Sequence, residues 1–225
     1  MRRAASLLFL LGLALLLAAI YRHLGPNAAN VGQLIDARAP TEVGAANIVT
    51  SVVLAYRGLD TLVELSILFT AATAVGLVLG REPAATSDRD AGFILRAGAD
   101  LFFPLLLVVG IYIVLHGHLT PGGGFQGGVI LACAFFVPLL ARPGRRLDQR
   151  WASLIEGLAG ASFIVIGLLA LVGGEAFLTP LLGKGGMGSL FSAGSLPLLY
   201  TAVGLKVGAE LAGVLARLAA QQPVA

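Results

Sequence analysis

The chain of 225 residues is 57% hydrophobic and only 12% charged, with a mean hydropathy of +0.91. Soluble domains carry about 25% charged residues, so this composition and its several long apolar runs indicate an integral membrane protein. The net charge of +3 then reports orientation in the membrane and not nucleic-acid binding. A single cysteine, Cys133, excludes a disulfide framework and a cysteine-based metal site within the chain.

The first apolar run covers residues 4–20 and follows Arg2 and Arg3. A charged start and an apolar middle resemble a signal peptide. However, the run is 17 residues long, and no clear small-x-small cleavage site precedes Tyr21. We therefore expect a retained first transmembrane helix, followed by a mixed, polar connection at residues 21–45.

A short apolar piece at residues 47–55 precedes the next long run. It cannot cross a hydrocarbon core of about 30 Å at about 1.5 Å per residue, so it predicts an interfacial or laterally packed helix. Residues 61–79 are long enough to span, although they contain Glu64. The most hydrophilic stretch, residues 81–96, is expected to be a surface linker.

This linker divides the chain into a two-helix module at residues 1–88 and a four-helix module at residues 89–225. The four helices of the second module are predicted at residues 97–115, 126–141, 151–172 and 196–218. A basic turn at residues 142–150 and a glycine-rich, flexible or re-entrant connection at residues 173–195 join the last three. The predicted fold is an all-α integral membrane protein with about six transmembrane helices and one short lateral or interfacial helix.

Charge counting orients these helices. With six spans, ten arginines fall on one side of the membrane, against three arginines and Lys184 on the other. The positive-inside rule then places both termini in the cytoplasm. The sequence therefore predicts a multi-pass protein of the cell (cytoplasmic or inner) membrane.

The segment at residues 116–128, here called the central loop, has the most unusual composition in the chain. Six of its 13 residues are glycine, so a helix is expected to stop near His116 and another to start near residues 122–126. Thr120 and Pro121 fit that start as a hydroxyl cap and a first-turn proline. Its glycines would let a neighbouring helix approach closely. The structural candidates are Thr120, Pro121, Gly122, Gly123, Gly124, Phe125, Gln126, Gly127 and Gly128.

Lys206 is the sharpest ionisable candidate, because it falls near the middle of a predicted span. Inserting an ionisable side chain at this depth of the membrane costs about 2.5–3.5 kcal/mol of free energy, so we expect it to have a structural or functional role. Glu210 is four residues on and shares its helix face. The two residues are either a neutralised pair facing a partner, or part of a proton or cation relay.

A second candidate group consists of Arg57, Asp60 and Glu64, beside a predicted break at Gly58. Asp60 and Glu64 are four residues apart on one helix face, with Arg57 one turn earlier. A structural salt bridge at a helix start is the commoner outcome. A relay remains open, because broken helices in membranes usually line cavities.

His116 and His118 form only half of a metal site, and no metal site is predicted. Proton uptake at a hydrated loop suits the pKa of histidine, and polar anchors that close the loop by hydrogen bonds are the favoured alternative. Asp100, Glu156 and Glu175 fall near predicted span ends, where solvated positions are expected. With no Ser/His/Asp triad, dinucleotide fingerprint or cysteine cluster, we expect neither enzymatic chemistry nor a cofactor.

The central loop, His-Gly-His-Leu-Thr-Pro-Gly-Gly-Gly-Phe-Gln-Gly-Gly, resembles the signature of the B subunit of Mrp-type multisubunit sodium/proton antiporters. Ion-pumping membrane-bound hydrogenases contain a similar subunit. The resemblance covers roughly residues 90–217, and the loop motif is specific to this family.

Residues 47–64 are similar to the C-terminal part of the Mrp A subunit, which in the hydrogenases is a separate small subunit. The matching residues are Arg57, Gly58, Asp60, Thr61 and Glu64, whereas Ala55 stands where the family usually has Asp and Val63 where it has Gly. The chain thus resembles a fusion of two neighbouring subunits.

The resemblance implies a non-catalytic membrane subunit of a cation/proton antiporter-type module, with sodium/proton exchange as the expected activity. Its partners would be other membrane subunits of an Mrp-type or hydrogenase-type complex, the lipid bilayer, sodium ions and protons, and not nucleic acid. Two alternatives stay open, namely a membrane-arm subunit of an ion-pumping hydrogenase or related respiratory complex, and a purely structural scaffold. The ion-pathway candidates are Asp60, Glu64, Lys206, Glu210, His116 and His118, with Arg57 as a salt-bridge candidate.

Overall fold

The computed structural model describes residues 2–23, 31–80, 92–142 and 145–220, and these contain helices and connections but no strand. The helices are α1 (Arg2–His23), α2 (Val31–Glu42), α3 (Ile48–Thr50), α4 (Gly58–Leu79), α5 (Gly92–Leu115), α6 (Gly124–Ala141), α7 (Gln149–Val172) and α8 (Leu196–Ala220). A π-helical segment, Ser51–Tyr56, continues directly from α3. The chain divides into two compact units, Met1–Ala37 and Arg38–Ala225.

Five helices of the described residues, α4 to α8, are long and apolar enough to cross a membrane. The first predicted span lies in α1, whose described apolar stretch, Ser6–Arg22, is shorter. The all-helical class is therefore confirmed, whereas the number of spans and the orientation of the termini stay predictions.

Helix α8 is the centre of the second unit, and it packs against α4, α5, α6, α7 and the π-helical segment. Small residues let α6 approach it closely. A Cβ on Gly128 would lie 2.8 Å from Val207 Cβ and 2.9 Å from the carbonyl oxygen of Gly204. In lipid, such close backbone contact replaces the hydrophobic drive that packs soluble helices.

The two ends of this bundle differ in character. One end, here the loop end, carries the central loop and residues 173–195, from which Leu178, Ser192 and Ser195 are buried. At the other end, here the Arg217 end, α4, α6 and α8 finish while α5 and α7 begin. There Arg142 donates to Asp100 at 2.7 and 2.8 Å, and Arg217 lies against Gly76.

Two sequence predictions about local structure are wrong. Residues 21–45 are not simply a polar connection, because α2 occupies Val31–Glu42. The sequence did not predict this helix because its polar and apolar residues follow no helical period. Helix α6 does begin near residues 122–126, but its N-cap is Gly123, with φ 128°, and not Thr120. The Thr120 hydroxyl instead donates to the His116 carbonyl at 3.3 Å.

Other boundaries follow the apolar runs with small shifts. The predicted linker at residues 81–96 is shorter, because α5 begins at Gly92 and includes Arg96; residues 81–91 lie outside the described part. The short piece at residues 47–55 is helical and packs against α4 and α8, with Thr50, Ser51 and Leu54 buried. It is thus a laterally packed helix, as predicted.

Candidate functional site

A cluster of three charged side chains lies between α7 and α8. Lys206 Nζ donates to Glu210 Oε2 at 3.2 Å and lies 3.6 Å from Glu156 Oε1. The side chains of Lys206 and Glu210 are 10% and 0% exposed, and that of Glu156 is 21% exposed. The predicted Lys206–Glu210 pair is therefore present, and its setting is the interior of the bundle.

The charge of this cluster does not balance. With both carboxylates ionised, one ammonium faces two negative charges, which leaves a net charge of −1. The Phe69 ring of α4 covers Lys206 Nζ at 5.2 Å from its centroid and adds a cation–π contact but no charge. Glu210 Oε1 is buried without a hydrogen-bond partner among the described residues. Such a group is costly unless it gains a proton, a water or a cation.

Sequence reasoning missed Glu156 as a member of this cluster. It was expected at a solvated span end, because a residue in the second turn of a predicted helix can still reach the headgroups. Its place in the cluster could have been predicted from the antiparallel arrangement of α7 and α8. A carboxylate in the first half of α7 and a lysine near the middle of α8 can approach similar depths when the two helices are antiparallel.

The second predicted group is more exposed. Arg57 and Asp60 form an ion pair at the start of α4, and their side chains are 68% and 53% exposed, so the predicted salt bridge is present. Exposed pairs of this kind contribute little stability. Glu64 is exposed on α4 and has no ionic or hydrogen-bonding partner among the described residues. The structure does not bring this group into contact with the Lys206 cluster.

In the central loop, His118 is fully buried and held by two hydrogen bonds. Its Nε2 lies 3.1 Å from the Ser189 carbonyl, and its Nδ1 lies 2.5 Å from the Tyr200 hydroxyl. A carbonyl only accepts, so Nε2 carries the proton and Nδ1 accepts from Tyr200 in the neutral ring. Burial lowers the pKa of His118; the hydrogen bond to the Ser189 carbonyl offsets part of this, and the charge of His116 adds a smaller lowering.

The Tyr200 hydroxyl also lies 3.1 Å from the carbonyl oxygen of Leu115. One hydroxyl proton cannot serve both acceptors, so the network has two arrangements. In the cationic arrangement, Nδ1–H of His118 donates to Tyr200, and Tyr200 donates to Leu115. His116 takes no part, because its ring stacks on Tyr112 and its Nδ1 lies 3.0 Å from the Tyr112 carbonyl.

Asn47 fastens the central loop to the segment before α4. Its side-chain amide donates to the carbonyls of Gly117 at 2.8 Å and Thr120 at 2.9 Å. Its backbone N–H donates to the His118 carbonyl at 2.9 Å, and its Oδ1 caps the first N–H groups of α3. Thr50 adds a hydroxyl bond to Gly117 at 2.5 Å. Asn47 and Thr50 thus anchor the loop by hydrogen bonds, a role that the sequence prediction gave to His116 and His118.

The glycines of the central loop serve backbone approach. Gly122 and Gly123 take positive φ values of 148° and 128°, which favour glycine. A Cβ on Gly124 would overlap the carbonyl of Tyr200, and one on Gly127 would overlap Val114. Phe125 packs against the buried core, whereas Gln126 is exposed and Pro121 lies before the helix. Among the described residues, no three His, Cys, Asp or Glu side chains come together for a metal.

These features fit a known family. Residues 94–213 match the model of a domain related to the MnhB subunit of the Na⁺/H⁺ antiporter. The chain belongs to this family. It is 30% identical over 193 residues to an uncharacterized protein of Methanocaldococcus jannaschii, with 73% of this chain and 74% of that protein covered. It is 28% identical over 139 residues to a probable K⁺/H⁺ antiporter A/B protein of Rhizobium meliloti, but this covers 50% of the chain and only 14% of that protein.

Two solved structures share the fold. The chain is similar to a chain of the membrane-bound sulfane sulfur reductase, an archaeal respiratory membrane complex, at 37% identity and a TM-score of 0.81. That alignment covers 96% of this chain and 97% of the other. It is also similar to a chain of the Mrp complex from Dietzia sp. DQ12-45-1b, at 26% identity and a TM-score of 0.76, covering 96% of this chain and 25% of the other. The chain is thus a membrane subunit of the antiporter type.

Proposed function

We propose that the chain contributes to ion translocation in a cation/proton antiporter-type module and has no catalytic activity of its own. The observation that carries the proposal is the buried cluster of Lys206, Glu210 and Glu156, with one carboxylate oxygen unpartnered among the described residues. A scaffold could fill these positions with apolar side chains at no loss of packing, since buried ion pairs rarely add stability over such residues. Buried ionisable groups in membranes mark ion routes by default.

A second candidate places the same module in a redox-driven respiratory complex. The similarity to a chain of an archaeal respiratory membrane complex favours it, because identity and TM-score, 37% and 0.81, exceed those for the Mrp complex, 26% and 0.76. In that case soluble redox subunits would supply the driving force. Protons and sodium ions are the proposed cargo in either case.

The proposed fusion of an A-type segment with a B-type module has support of its own. The alignment with a single chain of the Dietzia Mrp complex extends over 96% of this chain, well beyond residues 94–213. Asn47 and Thr50, from the A-like segment, hold the central loop by direct hydrogen bonds. Two modules that already contact each other in this way can be joined into one chain without a change in their packing.

Other membrane subunits are the proposed partners. Glu64 is exposed on α4, a helix with little of its surface buried within the chain. A carboxylate facing lipid would cost about 2.5–3.5 kcal/mol at the bilayer centre, so a polar partner surface is expected there. We place the Arg217 end in the cytoplasm and the central loop on the outer side of the cell membrane, by the positive-inside rule.

The first experiment identifies the assembly. The chain is purified through an affinity tag in mild detergent, and its companions are identified by mass spectrometry. Antiporter-type membrane subunits alone are expected for a gradient-driven exchanger, and additional metal-cluster subunits for the respiratory candidate. A chain that purifies alone and stays stable contradicts the proposed membership of a larger complex.

The second experiment tests ion translocation in vesicles by the sodium-dependent recovery of an acridine-dye signal. Neutral variants of Glu64, Glu210 and Lys206 are expected to lose exchange, measured per assembled complex at a temperature at which each variant is still folded. Glu175→Gln, which neutralises an exposed carboxylate outside the cluster, is the matched control and should behave as wild type. If the cluster variants assemble and exchange at the wild-type rate, the chain is a scaffold.

A further inference from the structure

A cavity of about 330 Å³ opens beside the cluster, between α4, α7 and α8. Both Glu156 and Glu210 line it, as do the hydroxyl-bearing Thr73 and Ser153. Arg217 and Gln149 lie at its wall near the Arg217 end of the bundle. Since a water molecule takes about 30 Å³ of liquid volume, the cavity has room for several waters.

Glu156 connects the cavity to the cluster, and the unpartnered Glu210 Oε1 lies behind it. The side chain of Glu210 is 0% exposed, its Oε2 is bound by Lys206, and Oε1 has no partner among the described residues. A buried carboxylate oxygen needs a hydrogen-bonding partner, and the cavity lies next to this one, lined by both Glu210 and Glu156. Glu156, whose side chain is 21% exposed, is therefore the carboxylate of the cluster that cavity water can reach, and Glu210, bound by Lys206, lies behind it.

The chemistry of the cluster favours a proton over a metal cation. The ammonium of Lys206 already lies 3.2 Å from one carboxylate and 3.6 Å from the other, in the position that a cation would take. A second full positive charge would be repelled at such distances. The other charged group on the cavity wall is Arg217, and the part of α4 that lines it contributes no ionisable side chain.

We propose that this cavity is a water-filled vestibule through which Glu210, with Glu156 and Lys206, takes up one proton from the aqueous phase at the Arg217 end. A hydronium ion gives its proton to the partly exposed carboxylate of Glu156, and water leaves. The proton then moves to Glu210 Oε1, the O–H bond to Glu156 breaking as the one to Glu210 forms, and the net charge of the cluster changes from −1 to zero. This inference rests on the proposed function and identifies the proton as the ion that this site takes up.

The vestibule reaches only partway through the chain. From Lys206 to Tyr200, α8 rises about 9 Å at about 1.5 Å per residue. The side chain of Val203 is buried on this stretch, and that of Val207 is buried beside Lys206. Neither can carry a proton. The proton therefore leaves the cluster towards a partner protein and not towards the central loop.

Access is tested by cysteine labelling in the native assembly, in membrane vesicles, on a Cys133→Ser background. Ala209→Cys lies on the cavity wall, and Ile155→Cys, on the exposed face of α7 outside it, is the control. A membrane-impermeant cationic thiosulfonate added at the Arg217 end should react roughly tenfold faster or more with Ala209→Cys, because a thiol in an apolar environment rarely ionises. Equal rates overturn the vestibule.

Proton occupancy is tested by infrared difference spectroscopy of the same assembly between neutral and acidic pH. A protonated-carboxyl band is expected in wild type, should vanish in Glu210→Gln, and should not change when sodium replaces potassium at fixed pH. Loss of the band on adding sodium would instead identify a metal-cation site and overturn the proposal.

These readouts separate the two proposals, since neither depends on transport. A labelled vestibule and a Glu210 band, together with normal exchange in Glu210→Gln, contradict the proposed function alone. An unreactive Ala209→Cys, together with lost exchange in Glu210→Gln, contradicts the vestibule alone.

Discussion

Replacing Lys206 with methionine is the sharpest test of the buried cluster. The substitution keeps the length and apolar stem of the side chain and removes the ammonium that lies 3.2 Å from Glu210 and 3.6 Å from Glu156. At an effective dielectric constant of about 20, each contact is worth about 5 kcal/mol of gross Coulomb energy. Desolvation offsets much of this in the intact cluster, but the two carboxylates left behind have no compensation.

The expected loss of stability follows from the two carboxylates that remain without a counter-charge. Breaking a buried pair by removing one partner costs about 3–5 kcal/mol, which lowers the melting temperature by about 6–20 °C for a chain of this size. Glu210→Gln should cost less, about 1–3 kcal/mol for a lost charged hydrogen bond, because Lys206 keeps Glu156. Lys206→Arg is the control that retains the charge.

The assay is the temperature at which the purified assembly loses its monodisperse peak in size-exclusion chromatography. Lys206→Met should melt lowest, Glu210→Gln in between, and Lys206→Arg nearest to wild type. Acidic buffer should partly rescue Lys206→Met, because protonation removes the uncompensated charges. A Lys206→Met assembly that melts at the same temperature as wild type, or at the same temperature as Glu210→Gln, would refute the argument from uncompensated charge.

Three further predictions concern packing and the central loop. Gly128→Ala should separate α6 from α8 and lower the melting temperature, whereas Gly157→Ala, whose Cβ would meet no described atom within 4 Å, should be neutral or slightly stabilising. Asn47→Ala should cost about 1–3 kcal/mol, because it removes two loop hydrogen bonds and a helix cap, and limited proteolysis should then cut the central loop. The lowered pKa of His118 means that the unfolded chain binds the proton more readily, so stability should fall as pH drops below about 6.5. His118→Gln should flatten this dependence in melting curves, and an unchanged slope would contradict it.

The helices of the bundle could be predicted because each apolar run is itself the signal. The ends of α5 and α8 are set where apolar residues stop, at Leu115 and near Leu218, and a single chain shows this directly. Helix α2 could not be predicted in the same way, since residues 31–42 mix polar, small and apolar residues without a period. Its existence depends on the context of the folded chain and not on local propensity.

The same distinction applies to the candidate site, where contacts within one helix could be predicted from the sequence and contacts between helices could not. Lys206 and Glu210 could be paired from sequence, because four residues on one helix bring side chains together. Glu156 could not be assigned, since which face of α7 meets α8 depends on the packing of small residues across several helices. The anchor role of Asn47 was equally hidden, because its partners in the central loop lie 70 and 73 residues further along the chain.

Helix α8 connects the two polar regions of the chain and keeps them apart. Tyr200, near its start, belongs to the closed hydrogen-bond network of the central loop, and Lys206 and Glu210, further along the helix, belong to the cluster beside the cavity. A relay along α8 would need polar side chains between them, but residues 202–205 are apolar and Val203 is buried. We therefore expect an ion that enters at the cluster to cross to another protein of the assembly. The exposed Glu64 lies on α4, the helix whose Phe69 covers Lys206, and it marks the side on which that partner is expected.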